Sequence, residues 1–333
     1  MTFPFVPMAE IRRGGILESL HHGAAVVADA EGRVLQSWGD PAFVTFPRSS
    51  LKPFQAIPLV ETGAADAAGL TEEHLALACA SHNAEDFQVS LVRGWLDRLG
   101  LTESALVCGP DLPRSQADQA KVWRGGGDRS RIFHNCSGKH CGFLTLTKHL
   151  GAPVAGYADP AHPAQRLYLE AFSELLGEDA ARLPRGVDGC GLPAIALPMA
   201  TMAKAAARWA AAKVATDSRR TAIRRLQSAI GAFPDHLSGR DSATGKIVRA
   251  TQGRVLLKGG AEGYVVAFVP EQGLGITIKM ADGASRAKMG VLAALLGRLG
   301  LVDAADALAA DAEGPIRDSN GGLVGEVRVS LPQ

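Results

Sequence analysis

The segments able to form β-strands lie at the two ends of this chain, with helical patterns between them. Near the N-terminus, "GILESL", "AAVVADA" and "RVLQSW" are β-friendly runs, and "AEGR" is a turn between the last two. Near the C-terminus, "EGYVVAFVP" and "LGITIKM" are split by the hairpin signal "EQG", and "GEVRVSL" alternates as a half-buried strand should. The middle carries helices. "TEEHLALACAS" opens on Thr71 and two acids, which suits a helix start. "AEDFQVSLVRGWLDRLG" stops on Gly100, and "PAQRLYLEAFSELLG" runs from Pro163 to Gly177. Two more follow, "PMATMAKAAARWAAAKVA" and "SRRTAIRRLQSAIGAF", and a last one, "SRAKMGVLAALLGRLG", comes after the late strands. The Ala-rich run from Ala200 is a packing face built of small residues. Neighbouring strands joined by hairpins make an antiparallel sheet. The expected fold class is therefore α/β in the α+β sense. Residues 1–65 and 235–333 supply the sheet part, and residues 66–234 form a mainly helical part.

Charge and composition exclude several functions. The chain has 333 residues and a formal net charge of +1, with no basic run. That argues against nucleic acid as an obligatory partner. No apolar run approaches the length of a membrane span, and the N-terminus lacks the basic-then-apolar order of a signal peptide. The expectation is a soluble, cytoplasmic protein with no membrane partner. Its five cysteines, Cys79, Cys108, Cys136, Cys141 and Cys190, are odd in number in a long chain, which speaks against a disulfide framework. Cys79 and Cys108 have apolar surroundings and read as small core residues.

The stretch "FPRSSLKPFQ" holds Ser49 and Lys52 three residues apart, so a helix puts them on one face. Pro53 belongs in a first helical turn. Ser49 then sits near a helix N-terminus, where free N–H groups can hold an oxyanion. A buried lysine can serve as base toward such a serine. Taken alone, the motif reads first as an N-cap serine followed by a solvated lysine, and Ser285 and Lys288 repeat it at the mouth of an amphipathic helix. Order distinguishes the first copy. Serine β-lactamases and penicillin-binding proteins carry Ser-x-x-Lys, then Ser-x-Asn, then Lys-[Thr/Ser]-Gly. Here Ser49–Lys52 is followed by "SHN" at Ser81–Asn83 and by "KGG" at Lys258–Gly260, the last without the usual hydroxyl residue.

A second cluster is "HNCSGKHCG", His134 to Gly142, read as a Gly-rich functional loop, together with "DGCGLP", which brings Asp188 and Cys190. Thiolates and imidazoles suit zinc, although the spacing from Cys136 to Cys141 matches no common zinc-finger pattern. Asp188 is either a turn aspartate or a carboxylate facing a substrate amine.

Over nearly its whole length, through "FPRSSLKPFQAIPL", "CASHNAE", "HNCSGKHCGFL", "DGCGLPAIALPM" and "KGGAEG", the chain resembles the asparaginase II family of the Rhizobium etli type. The resemblance implies a serine β-lactamase-like fold, a homodimer, and hydrolysis of L-asparagine to L-aspartate and ammonia. It implies Ser49 as nucleophile with Lys52 as its base, and Ser81 with Lys258 as a second Ser-Lys pair. Arg48, Asn83, His140 and Asp188 would line the substrate site. One zinc ion per subunit would be held by Cys136, Lys139 and Cys190, where spacing alone favours Cys141 and the histidines. Rival functions are another serine amidohydrolase or β-lactamase-like acyl transferase, and a non-catalytic protein that binds zinc or an amino acid.

Overall fold

Segments from both chain ends pair into one eight-stranded sheet in the computed structural model, which describes residues 3–313 and 315–331. The strands run in the order Ile316–Arg317, Leu323–Val329, Val6–Arg13, Ile16–Asp29, Leu274–Met280, Tyr264–Val269 and Leu256–Gly259. Val34–Trp38 adds to Ile16–Asp29, and every pairing is antiparallel. This is the α+β arrangement expected: an antiparallel sheet from the two ends and a helical middle.

Two strands differ from expectation. "GILESL" and "AAVVADA" form one strand of 14 residues. Gly23 joins them because a Cβ there would lie 2.8 Å from the Lys279 carbonyl and 2.9 Å from the Met8 sulfur. The strand Val6–Arg13 is unforeseen. Its Pro7 argues against a strand, and a register shift between Pro7 and Ala9 accommodates it.

The chain divides into two compact units. The sheet unit takes residues 1–50, 196–213 and 241–333; the other takes 51–195 and 214–240. In the sheet unit both faces of the sheet are covered. Ala25 and Val27 join a core with Ile276, Ile278, Val291 and Leu295. The alternate residues Ala24, Val26 and Ala28 pack on Met199 and Ala203. The period of two sends successive side chains to opposite faces, and burial of both faces explains why this run is continuously apolar. The Ala-rich helix Met199–Ala211 lies against the sheet and so belongs to this unit. Its small residues let the backbones approach: a Cβ on Gly275 would meet the Ala203 carbonyl at 2.1 Å and the Ala207 nitrogen at 2.3 Å.

The second unit is built around the helix Ser137–His149, buried without a break from Ser137 to Thr147. Around it pack Glu72–Ala78, Asp86–Leu99 and Pro163–Leu176. The "HNCSGKHCG" stretch is thus the start of a central helix and not a loop. Its glycines serve packing. A Cβ on Gly138 would fall 2.5 Å from the Leu77 carbonyl oxygen.

Candidate active site

The Ser-x-x-Lys segment forms two short turns. Arg48–Leu51 is a 3-10 turn, and Lys52–Gln55 continues it as α-helix with Pro53 in the first turn. Arg48 enters at φ +54°, in the left-handed region uncommon for a residue with a Cβ. The two serines have different surroundings. Ser50 is completely buried, and its hydroxyl donates to the Lys258 carbonyl at 2.8 Å. Ser49 is partly exposed. The Ser50 hydroxyl is therefore committed to structure, and Ser49 is the serine with access.

Lys258 lies on Leu256–Gly259, is 1% exposed, and donates from Nζ to the Gly259 carbonyl at 2.7 Å. The second glycine of "KGG" has a packing reason. A Cβ on Gly260 would sit 2.4 Å from the Pro47 carbonyl and 2.9 Å from Ser50 Oγ. The strand end and the serine turn approach so closely that only glycine fits.

Lys52 is fully buried. Its amine donates to the Ala80 carbonyl and, at 3.1 Å, to Ser81 Oγ. This places the lysine of the first motif on the serine of the second. Between Ser81 and Asn83, His82 anchors the loop. Its Nδ1 accepts the Ala84 N–H at 3.0 Å, and its Nε2 lies 2.8 Å from Ser137 Oγ. The Ser137 hydroxyl donates onward to the Ile132 carbonyl at 3.0 Å. Nδ1 therefore carries no proton and Nε2 donates. Burial first, and then the Lys52 charge, push the His82 pKa down to about 3, so the ring is neutral. The Asn83 side chain abuts Gly239, where a Cβ would meet Nδ2 at 2.4 Å.

The sulfur cluster forms from two elements. Cys136 precedes the central helix, Lys139 lies in its first turn, and Cys190 is carried in the turn between the paired strands Arg185–Val187 and Pro193–Ile195. That turn closes with the Asp188 N–H on the Leu192 carbonyl at 2.8 Å and with Gly191 at φ +84°. Lys139 Nζ is 2.9 Å from Cys190 Sγ, and all three residues are buried. The hydrogen bond with Cys190 holds the Cys136 thiol well below its usual range, and Cys190 is pushed up in turn. Burial opposes the Lys139 charge, but Cys136 and Cys190 outweigh it and keep the ammonium above the ordinary lysine range. Asp188 also acts on this charge. Cys141, which spacing favours as a ligand, is buried, and desolvation pushes its thiol up.

These donors fit a thiophilic cation by their chemistry: one thiol already prone to ionise, a second thiol, and an amine converge out of water. Among the described residues no group of three His, Cys, Asp or Glu could hold a metal ion. A metal here would thus need the Lys139 amine as its third donor, with the proton displaced.

His140 is also buried, and its Nδ1 lies 2.6 Å from the Tyr157 hydroxyl. Burial, and then the Lys139 charge, hold His140 well below the usual histidine range. The second unit thus gathers Lys52, Ser81, Asn83, Cys136, Lys139, His140, Asp188 and Cys190, while Arg48, Ser49 and Lys258 belong to the sheet unit. His82, Ser137 and Tyr157 are absent from the expectations. His82 fills the unspecified place of Ser-x-Asn, and Tyr157 lies in an irregular segment where no periodicity marks it.

The chain belongs to the L-asparaginase II family, whose profile it matches over residues 9–329. At that level it is an amide hydrolase. No curated protein matches its sequence. Solved structures similar to it include a β-lactamase (Mb2281c) from Mycobacterium bovis, at 16% identity over 83% of this chain and 94% of the other, TM-score 0.43. A protein called Mglu in its native form shares 16% identity over 84% of this chain and 64% of its own length, TM-score 0.45. A Bacillus glutaminase shares 13% over 84% and 91%, TM-score 0.38. Among the described residues no helix is long and apolar enough to cross a membrane.

Proposed function

We propose that the protein is an L-asparagine amidohydrolase that works through an acyl-enzyme on Ser49. The observation that carries the proposal is the buried Lys52 amine, 3.1 Å from Ser81 Oγ and one helical turn beyond the accessible Ser49. In its neutral form Lys52 accepts the Ser49 proton as Oγ attacks the side-chain amide carbon. Backbone N–H groups of the turn hold the oxyanion. Ser81, which takes a hydrogen bond from Lys52, gives its proton to the nitrogen as the C–N bond breaks and ammonia leaves, and Lys52 passes the proton it took from Ser49 to Ser81. Water then attacks the ester, Oγ regains its proton, and L-aspartate is released.

Lys258 is proposed to assist the Ser81 transfer. Asp188 pairs with the substrate ammonium and Arg48 with its carboxylate, as charge-assisted hydrogen bonds. Asn83 and His140 supply the remaining polar contacts. Cys136, Lys139 and Cys190 would hold one zinc ion per subunit. Bound there, zinc would brace the Cys136–His140 segment and so help orient the substrate, its charge balanced by the two thiolates. A cytoplasmic homodimer is the proposed working form.

Ammonia release from L-asparagine and from L-glutamine, by wild type and Ser49→Ala, tests the assignment. Release from asparagine that disappears in the variant supports it. Persistence in the variant moves the chemistry elsewhere, and release from neither amide removes the asparaginase function.

A further inference from the structure

We propose that Tyr157 is a positioning residue that locks His140 in a single tautomer, so that His140 meets the substrate as a fixed N–H donor. The identity of the ligand rests on the asparaginase assignment; the tautomer does not.

Tyr157 is 1% exposed and its hydroxyl has two neighbours. The Val107 N–H donates to it at 2.9 Å, and His140 Nδ1 lies 2.6 Å away. A phenol has one proton to give. With Val107 donating into the oxygen, the O–H is directed at Nδ1, so Nδ1 is the bare nitrogen and the ring proton sits on Nε2. The frame is stiff. The Gln165 amide donates to the Tyr157 carbonyl at 3.0 Å, and the two rings stand edge to face with centroids 5.7 Å apart. Val107 in turn abuts the Cys190 turn: a Cβ on Gly191 would lie 2.8 Å from its Cγ1.

The outcome is a buried donor left unmet. His140 is completely buried, and its Nε2 has no hydrogen-bond partner among the described residues. Such groups are rare and costly, and each calls for a reason. His140 adjoins Lys139 on the central helix and lies within electrostatic reach of Cys136 and Lys52. An Nε2–H fixed in that way and left without a partner suits an oxygen acceptor, the carboxylate or amide carbonyl of a bound amino acid. A ring free to exchange tautomers would present a lone pair to the same oxygen part of the time and repel it. Tyr157 removes that option without touching the substrate.

The test is the 15N–1H long-range spectrum of histidine-labelled protein, with His140 assigned from the His140→Gln variant. The expected wild-type pattern is Nε2 protonated and Nδ1 bare. In Tyr157→Phe a second tautomer should appear, and kcat/KM for asparagine should fall about ten-fold, the scale of one lost hydrogen bond. L-Aspartate added to Ser49→Ala protein should shift the Nε2–H resonance. A protonated Nδ1 in wild type overturns the proposal, as does a Tyr157→Phe protein with unchanged tautomer and unchanged kcat/KM. An intact tautomer with no response to aspartate removes the ligand-donor role. If wild type releases no ammonia, the asparaginase assignment fails, and the wild-type spectrum still decides the part played by Tyr157.

Discussion

At the scale of single residues, adjacent identical side chains have opposite fates. Ser49→Ala should abolish turnover, by on the order of 10³-fold or more if it acts within a catalytic unit, with the melting temperature unchanged. Ser50→Ala should do the reverse. It removes the buried Ser50 hydrogen bond to the Lys258 carbonyl, costing about 1 kcal/mol of stability that urea melts would report, while substrate turnover largely survives. Equal loss of turnover in both variants would undo the distinction. His82 sets a pH dependence. Its native pKa of about 3 lies below the ordinary value, so between pH 6.5 and 3 the unfolded chain binds a proton that the native ring refuses. Stability present above pH 6.5 is therefore lost as pH falls, by about 1.4 kcal/mol per pH unit. His74, pushed down to about 4 chiefly by burial, adds to the slope over the upper part of the same window. Urea melts at several pH values should show a shallower slope in His82→Gln, which offers a donor and an acceptor but does not titrate. An identical slope would show that His82 is not the group responsible.

At the scale of elements, two glycines decide how closely helices seat. Gly138→Ala forces a methyl to 2.5 Å from the Leu77 carbonyl, which is backbone and cannot rotate away. The helix Ser137–His149 must shift, and the expected cost is about 1–3 kcal/mol, measurable by thermal denaturation. Because Cys136, Lys139 and His140 ride on or beside that first turn, activity should fall along with stability. Gly275→Ala on the sheet presses on Met199–Ala211 with the same kind of backbone clash, and should cost stability without a matching loss per folded molecule. The sulfur cluster makes a further prediction at this scale. Purified wild-type protein should carry one zinc per chain by elemental analysis, and Lys139→Met should lose most of it. Full zinc in that variant would show that Lys139 is not a ligand.

At the scale of the whole molecule, both units are assembled from separated stretches of chain. Strands near residues 6–38 find partners near residues 256–329. Pairings this distant in sequence are slow to form and cannot begin before the chain is nearly complete. A fragment ending at residue 240 should therefore fail to form the sheet, seen as missing β-signal in circular dichroism beside the full chain. A stable, β-rich fragment would contradict that dependence. Light scattering should give twice the mass of one chain if the working form is the proposed homodimer.

Much of this was legible in local pattern. Helix ends at Thr71, Gly100, Pro163 and Gly177, the late hairpin, and the antiparallel sheet from both chain ends follow from capping, turn chemistry and hydrophobic period, which act over a few residues. The Ala-rich packing face was legible for the same reason. The 14-residue strand was not, because Gly23 reads as a break until close neighbours on both sides explain it. "HNCSGKHCG" looked like a loop because its glycines signal turns locally, whereas their use is to admit Leu77 and its helix. That Ser50 rather than Ser49 is tied to Lys258, that Lys52 reaches Ser81, and that Tyr157 reaches His140 are contacts across many residues of chain. Sequence by itself determined the repertoire of elements and the chemical groups. Only the tertiary structure decided which groups meet, since partners remote in sequence are chosen by the packing of the entire core.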